Sequence, residues 1–427
     1  MMAVSLCAVW FLFYDRHMEY DLLYVSVMMF LFAVLYYSFG KLYDAFHISY
    51  SRISEMTYSQ SLSALVTDAL MWLIFCLLLR RIVNPLPMFL CWGGQIIAST
   101  IWSRLTHGWY FRTYPPKRTA LIYESKEQME ELIESYGMKK KFGIEMILKA
   151  EECVKDIEQL KEMQAVFINR IGGHNRNVII KYCLYNDISV FVIPKVDDII
   201  LSGAHKMHLF HLPMLLVEKN GPSMFFLFFK RLFDIVASLA VLIVLFPFML
   251  IIAAAIKLYD EGPVFYLQDR VTKDNRVFKI IKFRSMKVDA EKEGEVILST
   301  GDKDNRITPV GRIIRKLRID ELPQLINIIK GDMSIVGPRP ERPELVEIYE
   351  RDVPEFRLRT QVKAGLTGYA QVYGKYNTTP EHKLLMDLQY IYNRSLSEDM
   401  KIIFATIKIL FLPESTEGFE PEEEKDK

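Results

Sequence analysis

The sequence predicts a multi-domain membrane protein. An N-terminal bundle of transmembrane helices leads into a Rossmann-like α/β middle domain. A mainly helical α+β domain follows, with a re-entrant membrane helix of its own. Three observations predict this. Residues 1–103 carry five Lys/Arg and six Asp/Glu, whereas residues 104–427 carry 48 and 46. Short β-rich runs alternate with helical ones over residues 118–220. A long apolar run, Leu232–Ile256, stands apart from the N-terminal group. The 427 residues suffice for two or three domains. A net charge of +1 argues against a nucleic-acid protein, and 51% hydrophobic residues exclude global disorder.

Residues 1–110 hold three or four transmembrane helices. The runs Leu22–Phe39, Leu62–Leu79 and Leu86–Trp102 each approach the ~20 residues that cross a ~30 Å hydrocarbon layer. Met1–Phe13 is a shorter apolar start, ended by Asp15, Arg16 and His17. It lacks the basic leader and small-residue cleavage site of a signal peptide and reads as a short first membrane helix. Tyr36, Tyr37, Trp102, Trp109 and Tyr110 suit headgroup anchors. Arg104, Arg112, Lys117 and Arg118 form the densest basic flank, which places everything after residue 103 in the cytoplasm. Arg80 and Arg81 point the other way.

The run Leu232–Ile256 has Lys230 and Arg231 before it, Lys257 after it, and Pro247 near its middle. An interior proline removes a hydrogen bond and bends a helix. A bent helix with cations at both ends enters one leaflet and returns to the same face. An ordinary kinked span would put residues 104–229 and 258–427 on opposite faces, although both read as soluble domains. Phe225, Phe226, Phe228 and Phe229 would lie at the lipid interface.

In the middle domain (118–220), strands at Thr119–Tyr123, Ile144–Leu148, Ala165–Ile168 and Val190–Ile193 alternate with helices at Lys126–Tyr136 and near Glu152–Lys161. Alternation of this kind indicates a parallel sheet. A dinucleotide site needs a glycine-rich turn after the first strand. Here Glu124-Ser125-Lys126 follows instead, and Ile171-Gly172-Gly173-His174 comes after a later strand. The shape is expected without the cofactor, which disfavours an NAD-dependent sugar dehydratase and leaves a regulatory or assembly role. Cys7, Cys76, Cys91, Cys153 and Cys183 form no CxxC, so neither a disulfide framework nor a zinc site is indicated. His205, His208 and His211 are spaced to share a helix face, but no acid joins them.

Beyond residue 263, FKIIKFRSM (278–286) alternates apolar and basic residues as a strand does. GRIIRKLRIDELPQLINIIK (311–330) reads as one helix, apolar along Ile313, Ile314, Leu317, Leu322, Leu325 and Ile326. Its other side carries Arg312, Arg315, Lys316 and Arg318, then Asp320 and Glu321. The tight turn Val336-Gly337-Pro338-Arg339-Pro340 fixes Arg339, because proline locks φ and constrains its predecessor. Carboxylates among guanidiniums suit a polyphosphate: arginine binds phosphate bidentately, a carboxylate can hold Mg²⁺, and an aspartate can attack phosphorus. On an ideal helix of about 100° per residue, Arg315 and Asp320 diverge by about 140°. They converge only if the helix bends or a substrate bridges them. The residues alone support a membrane-associated, phosphate-binding protein.

Residues ~225–412 carry KRLFDIVASLAVLIVLFPFMLIIAAAIKL, FKIIKFRSM, DNRITPVGRIIRKLRIDELPQLINIIKGDMSIVGPRPERPE, VKAGLTGYAQVYGK and DLQYIYNRSLSEDMKIIFATIKIL in order. This region resembles the bacterial sugar transferases, the polyprenyl-phosphate hexose-1-phosphate transferases. The N-terminal helices and degenerate Rossmann-like domain resemble the large members, such as undecaprenyl-phosphate galactose or glucose phosphotransferases. The resemblance implies a phosphoglycosyl transferase at the bacterial inner membrane, its catalytic domain on the cytoplasmic face. It would move sugar-1-phosphate from a UDP-sugar to undecaprenyl phosphate and release UMP, beginning exopolysaccharide, capsule or O-antigen assembly. It implies Asp320 as the nucleophile that forms a phosphosugar ester. Asp320 and Glu321 would hold Mg²⁺ (or Mn²⁺), and Lys282, Arg284, Arg315 and Arg339 would bind substrate. Pro247 would break the re-entrant helix, membrane lipid would be a partner, and a homodimer is compatible. Phe246 replaces the family's usual serine before Pro247, Ala364 a usual proline, and Tyr373 and Lys375 the frequent Asn and Arg. Met400–Leu412 reads as an amphipathic surface helix. Residues 413–427, with seven acids and two lysines, read as a disordered tail. A non-catalytic membrane scaffold is the alternative, disfavoured by the intact Asp320, Glu321, Arg315 and Arg339.

Overall fold

The computed structural model describes residues 22–124, 141–217, 223–288, 304–374 and 379–410, with positions 13 and 290. Met1–Phe13 (all but its last residue), the helix expected at Lys126–Tyr136, Lys375 and the acidic tail lie outside the described residues. The chain forms two compact units, Met1–Pro194 and Lys195–Lys427.

Among the described residues, the first unit holds three long helices before its sheet: α1 (Leu22–Leu42), α2 (Ile53–Leu79) and α3 (Leu86–Thr113). The first two are long and apolar enough to cross a membrane. The third covers the third apolar run yet is not among them, because one side of it is polar. Cys91, Gln95, Ser99 and Ser103 recur every fourth residue and are buried. Two of them meet polar positions on α2: Gln95 Nε2 lies 3.4 Å from Asp68 Oδ1, and Ser99 Oγ lies 3.5 Å from Ser61 Oγ; beside them, Trp92 Nε1 donates to the Ser61 carbonyl at 2.9 Å.

Four strands follow: β1 (Lys117–Tyr123), β2 (Phe142–Lys149), β3 (Ala165–Asn169) and β4 (Ser189–Val192). All pair in parallel, in the order β2-β1-β3-β4. The short helix α4 (Ala150–Lys155) and α5 (Gly173–Tyr185) cover the sheet, burying Ala120, Ile122, Val166, Ile168, Ile179 and Cys183. The expected α/β arrangement is present. Its strand order reverses between β1 and β3, the position at which such sheets bind ligands. There the Gly172 amide, at the mouth of α5, donates to the chain's own Glu124 carboxylate at 2.7 Å. The sheet ends at Val192, and residues from Lys195 onward pack in the second unit.

That unit opens with α6 (Val196–Ser202) and the hairpin β5 (His205–Leu209) and β6 (Leu212–Leu216). The three histidines therefore share no helix. His205 and His208 lie on a strand, while Phe210 and His211 close the turn at φ 54° and 65°, the left-handed pair that a two-residue hairpin turn requires. Next comes α7 (Met224–Asp260), 37 residues of α-helix apolar enough to cross a membrane; it runs through Pro247 as one helical segment, without the break the sequence predicts there. One face is engaged along its whole length. Asp234, Ser238, Met249 and Ile256 are buried, and Leu242, Ile252 and Ala253 pack on the domain core. The opposite face exposes Phe225, Phe228, Ile243, Val244, Phe246 and Phe248.

The remainder builds the domain against α7. An antiparallel hairpin, β7 (Phe265–Val271) and β8 (Val277–Phe283), precedes α8 (Pro309–Lys316), α9 (Gln324–Lys330) and β9 (Met333–Val336). Then come α10 (Pro343–Asp352), a 3-10 helix over Pro354–Gln361, β10 (Ala364–Thr367) parallel to β9, α11 (Tyr369–Tyr373), α12 (Pro380–Tyr392) and α13 (Leu396–Leu410). The single helix expected over 311–330 is broken into three pieces. Arg318 adopts φ 52°, ending α8, and a 3-10 turn, Ile319–Glu321, follows before α9. Pro323, which has no N–H to donate, stands at the N-cap of α9 and prevents one hydrogen-bond ladder from running through. The expected apolar side splits accordingly: Ile314 and Leu325 are buried, while Ile313 and Leu317 are exposed.

Candidate active site

Each charged side chain reaches the site through a specific local device. On β8, Phe278 and Ile280 face the core, and Lys282 arrives near the strand end. The fully buried Asn327 of α9 fixes that strand, its Nδ2 donating to the Lys279 carbonyl at 2.9 Å and its Oδ1 accepting from the Ile281 amide at 3.0 Å. Gly331, at φ 97°, ends α9. The first turns of α7 hold the same region. Arg231 donates to the Ile328 and Ile329 carbonyls at 2.7 and 2.8 Å, and Asp234 Oδ1 accepts from the Ile335 amide at 3.1 Å.

Asp320 and Glu321 lie on the 3-10 turn after the bend. Glu321 Oε1 accepts from Lys282 Nζ at 2.9 Å and from Arg339 Nη2 at 3.2 Å. The bend sets Asp320 and Glu321 on a turn of their own, and the Arg315 charge acts on Asp320 from the end of α8. No hydrogen bond or ion pair to the Asp320 carboxylate occurs among the described residues.

The two carboxyls are perturbed in opposite directions. Burial, reinforced by the Glu321 charge, pushes Asp320 above the ordinary carboxylate range, although Lys282, Arg315 and Arg339 oppose the shift. Burial works against ionising Glu321 as well, but Lys282, Arg339 and Arg318 outweigh it and hold Glu321 below its usual range. Glu321 is thus a fixed anion already satisfied by cations. Asp320 is an unpartnered and more basic one.

Lys282, Arg339 and Glu321, with its neighbour Asp320, are therefore brought together, and Arg315 acts on Asp320 through its charge. Arg284 is not with them: it is buried and paired with Asp260 at the end of α7. Pro247 lies within α7, away from this cluster in sequence and on the membrane element. Sequence reasoning missed residues that tie this region together: Asn327, and the buried pair Arg359 and Asp387, whose Nε–Oδ2 distance is 2.9 Å. Each acts on a partner far away in the chain, so no local spacing signals it.

Among the described residues no group of three or more His, Cys, Asp and Glu gathers as a metal site. Two adjacent carboxylates, one of them unpartnered, fit Mg²⁺, which takes one or two protein carboxylates and fills its shell with substrate phosphates and water. Paired carboxylates ringed by cations, on a domain packed along an apolar helix, define a membrane-attached protein that handles phosphate groups.

Comparison with known proteins narrows that class. Residues 225–413 match the family described as bacterial sugar transferase, and the chain belongs to that family. It is 41% identical over 231 residues to a UDP-N-acetylgalactosamine-undecaprenyl-phosphate N-acetylgalactosaminephosphotransferase of Aeromonas hydrophila, covering 53% of each chain. A UDP-glucose:undecaprenyl-phosphate glucose-1-phosphate transferase of Klebsiella pneumoniae is 38% identical over 226 residues, 52% of this chain and 46% of that one. The exopolysaccharide production protein PSS of Rhizobium leguminosarum bv. phaseoli is 41% identical over 187 residues, 42% of this chain and 92% of that one. The chain thus spans about half the length of the first two and nearly all of the third.

Proposed function

We propose that this protein is a phosphoglycosyl transferase that moves sugar-1-phosphate from a UDP-sugar to undecaprenyl phosphate and releases UMP. The observation that carries the reading is the asymmetry between Asp320, unpartnered and basic, and Glu321, held by Lys282 and Arg339. The names of the relatives support the donor and acceptor classes.

An Asp320 carboxylate oxygen attacks the β-phosphorus of the UDP-sugar. A new P–O bond forms, and the bond from that phosphorus to the bridging oxygen breaks. UMP leaves with the electron pair, and the sugar phosphate remains as an acyl phosphate on Asp320. A phosphate oxygen of the lipid then attacks the same phosphorus, and the electron pair returns to the carboxylate. Arg315 and Arg339 suit the phosphate oxygens of donor and acceptor, and Lys282 keeps Glu321 in place. Mg²⁺, held by Asp320 and Glu321, would neutralise charge on the diphosphate.

The membrane element completes the reading. We assign α7 as a re-entrant helix at the cytoplasmic face of the bacterial inner membrane. Contacts from Arg231 to Asp260 along one face of α7 support this, because a helix packed on a water-facing domain at both ends is poorly placed to span. The test is UMP release from a panel of UDP-sugars, with undecaprenyl phosphate and Mg²⁺, in membranes containing the wild type or Asp320→Asn. One sugar should support release in the wild type, and the variant should fall at least about 10³-fold. Full activity in Asp320→Asn would exclude it as the nucleophile.

A further inference from the structure

The backbone from Val336 to Glu341 is held by its carbonyls. The Val336 oxygen accepts from Lys230 Nζ at 3.2 Å and from Tyr390 Oη at 3.1 Å. The Pro338 oxygen accepts from the Gly365 amide at 2.8 Å, and the Glu341 oxygen from the Val271 amide at 3.0 Å. Between them, the Arg339 oxygen accepts from Arg359 Nη2 at 2.8 Å, and the Pro340 oxygen from Arg270 Nη1 at 3.0 Å. Pro338 and Pro340 have no N–H, so at these residues the carbonyl is the only backbone handle.

Of the two arginines, Arg359 is the more enclosed. Its side chain is 5% exposed, its Nε donates to Asp387 Oδ2 at 2.9 Å, and its Nη2 lies 2.8 Å from the same oxygen. The guanidinium sits 4.7 Å from the centre of the Phe356 ring. Glu341 Oε1 lies 3.8 Å from Arg359 Nη1 and 3.8 Å from Lys383 Nζ. Burying an ion pair costs desolvation that an apolar pair of similar volume avoids. An apolar pair cannot donate to the Arg339 carbonyl.

We infer that Arg359, held by Asp387, is a positioning residue for Arg339. It fixes the backbone from which the Arg339 guanidinium reaches Glu321, and through it the geometry beside Asp320. Its kinetic test rests on the transferase reading above. UMP release is measured for wild type, Arg359→Lys, Asp387→Asn, Arg339→Ala and the double variant Arg359→Lys/Arg339→Ala. Arg359→Lys should lower kcat/KM by about 10- to 100-fold, since misplacing a binding group by about 1 Å costs that order. Asp387→Asn should act in the same direction and less strongly. On the Arg339→Ala background, Arg359→Lys should add less than about 2-fold, because a residue acting through Arg339 has nothing left to position. Losses that multiply independently would overturn the inference.

A second readout needs no turnover. Amide hydrogen exchange in peptides covering residues 336–342 should speed up in Arg359→Lys while peptides covering 277–283 stay unchanged. Uniform acceleration across the domain, or none, would overturn the inference. If the wild type releases no UMP from any UDP-sugar, the transferase reading fails and the exchange comparison alone decides the clamp.

Discussion

Asp320 and Glu321 are neighbours in sequence, yet their surroundings separate their chemistry. Glu321 faces two hydrogen-bonding cations, and Asp320 faces burial and the negative charge of Glu321. A raised carboxyl pKa means that the folded protein binds that proton more tightly than the unfolded chain. The cost to stability is absent below the unfolded pKa and fully present above the folded one. Asp320→Asn should therefore raise Tm at neutral pH, and the gain should shrink as pH falls through the carboxylate range. A gain independent of pH would contradict the assigned perturbation. With Asp320 as the proposed nucleophile, activity should run the other way: it should be lost to protonation as pH falls through the raised pKa, giving UMP release an acidic limb. The candidate residues were legible because KFRSM, the Asp-Glu pair and the Pro-Arg-Pro turn are local signals. Arg284 carried the same signal, but its guanidinium is spent on Asp260, a partner visible only after folding.

At the scale of elements, periodicity located β8 and the strands of the parallel sheet but misread the stretch 311–330. Apolar positions recur there at helical spacing across a break that Arg318 makes in the left-handed region. The break matters more than the helices, since it sets Asp320 and Glu321 on their own 3-10 turn, where Glu321 meets Lys282 and Arg339. Likewise, the histidine spacing at 205–211 imitated a helix where a tight turn makes a hairpin. The glycine pair at 172–173 does open a helix at the reversal of strand order, but Glu124 already accepts from it. One side-chain amide ties α9 to β8 beside their shared apolar core. Asn327→Leu leaves the Lys279 carbonyl and the Ile281 amide without their partner, a loss of about 1–3 kcal/mol. Thermal unfolding should show that destabilisation, and UMP release should fall as well, because Lys282 follows Ile281 directly. A variant that loses stability with full activity would separate the strand from the site.

Across the whole molecule, the charge split in the sequence foretold apolar helices at the N-terminus, and the separate apolar run Leu232–Ile256 foretold a further one beyond them. It did not reveal that α3 presents a polar side to α2, because burial of Gln95, Ser99 and Ser103 depends on a neighbour. The proposed course of α7 makes a topological prediction. Single cysteines at the exposed Met224 and Glu261, in a chain freed of its native cysteines, should both react with an impermeant maleimide from the same side of sealed vesicles. Labelling from opposite sides would establish a span. The contacts along α7 from Lys230 to Asp260 also leave no slack between the proposed membrane element and the proposed nucleophile. Arg231 holds the end of α9, Leu242 and Met249 pack into the core, and Asp260 holds Arg284. With α7 lodged as proposed, the height of Asp320 above the acyl chains becomes a built-in dimension, like the gap of a gauge. An acceptor is then sorted by the depth at which its phosphate rides, and its tail serves only to keep it in the bilayer. Prenyl phosphates of different chain length should turn over at similar rates once dissolved in the same membrane. The same phosphate raised on a hydrophilic spacer should stall.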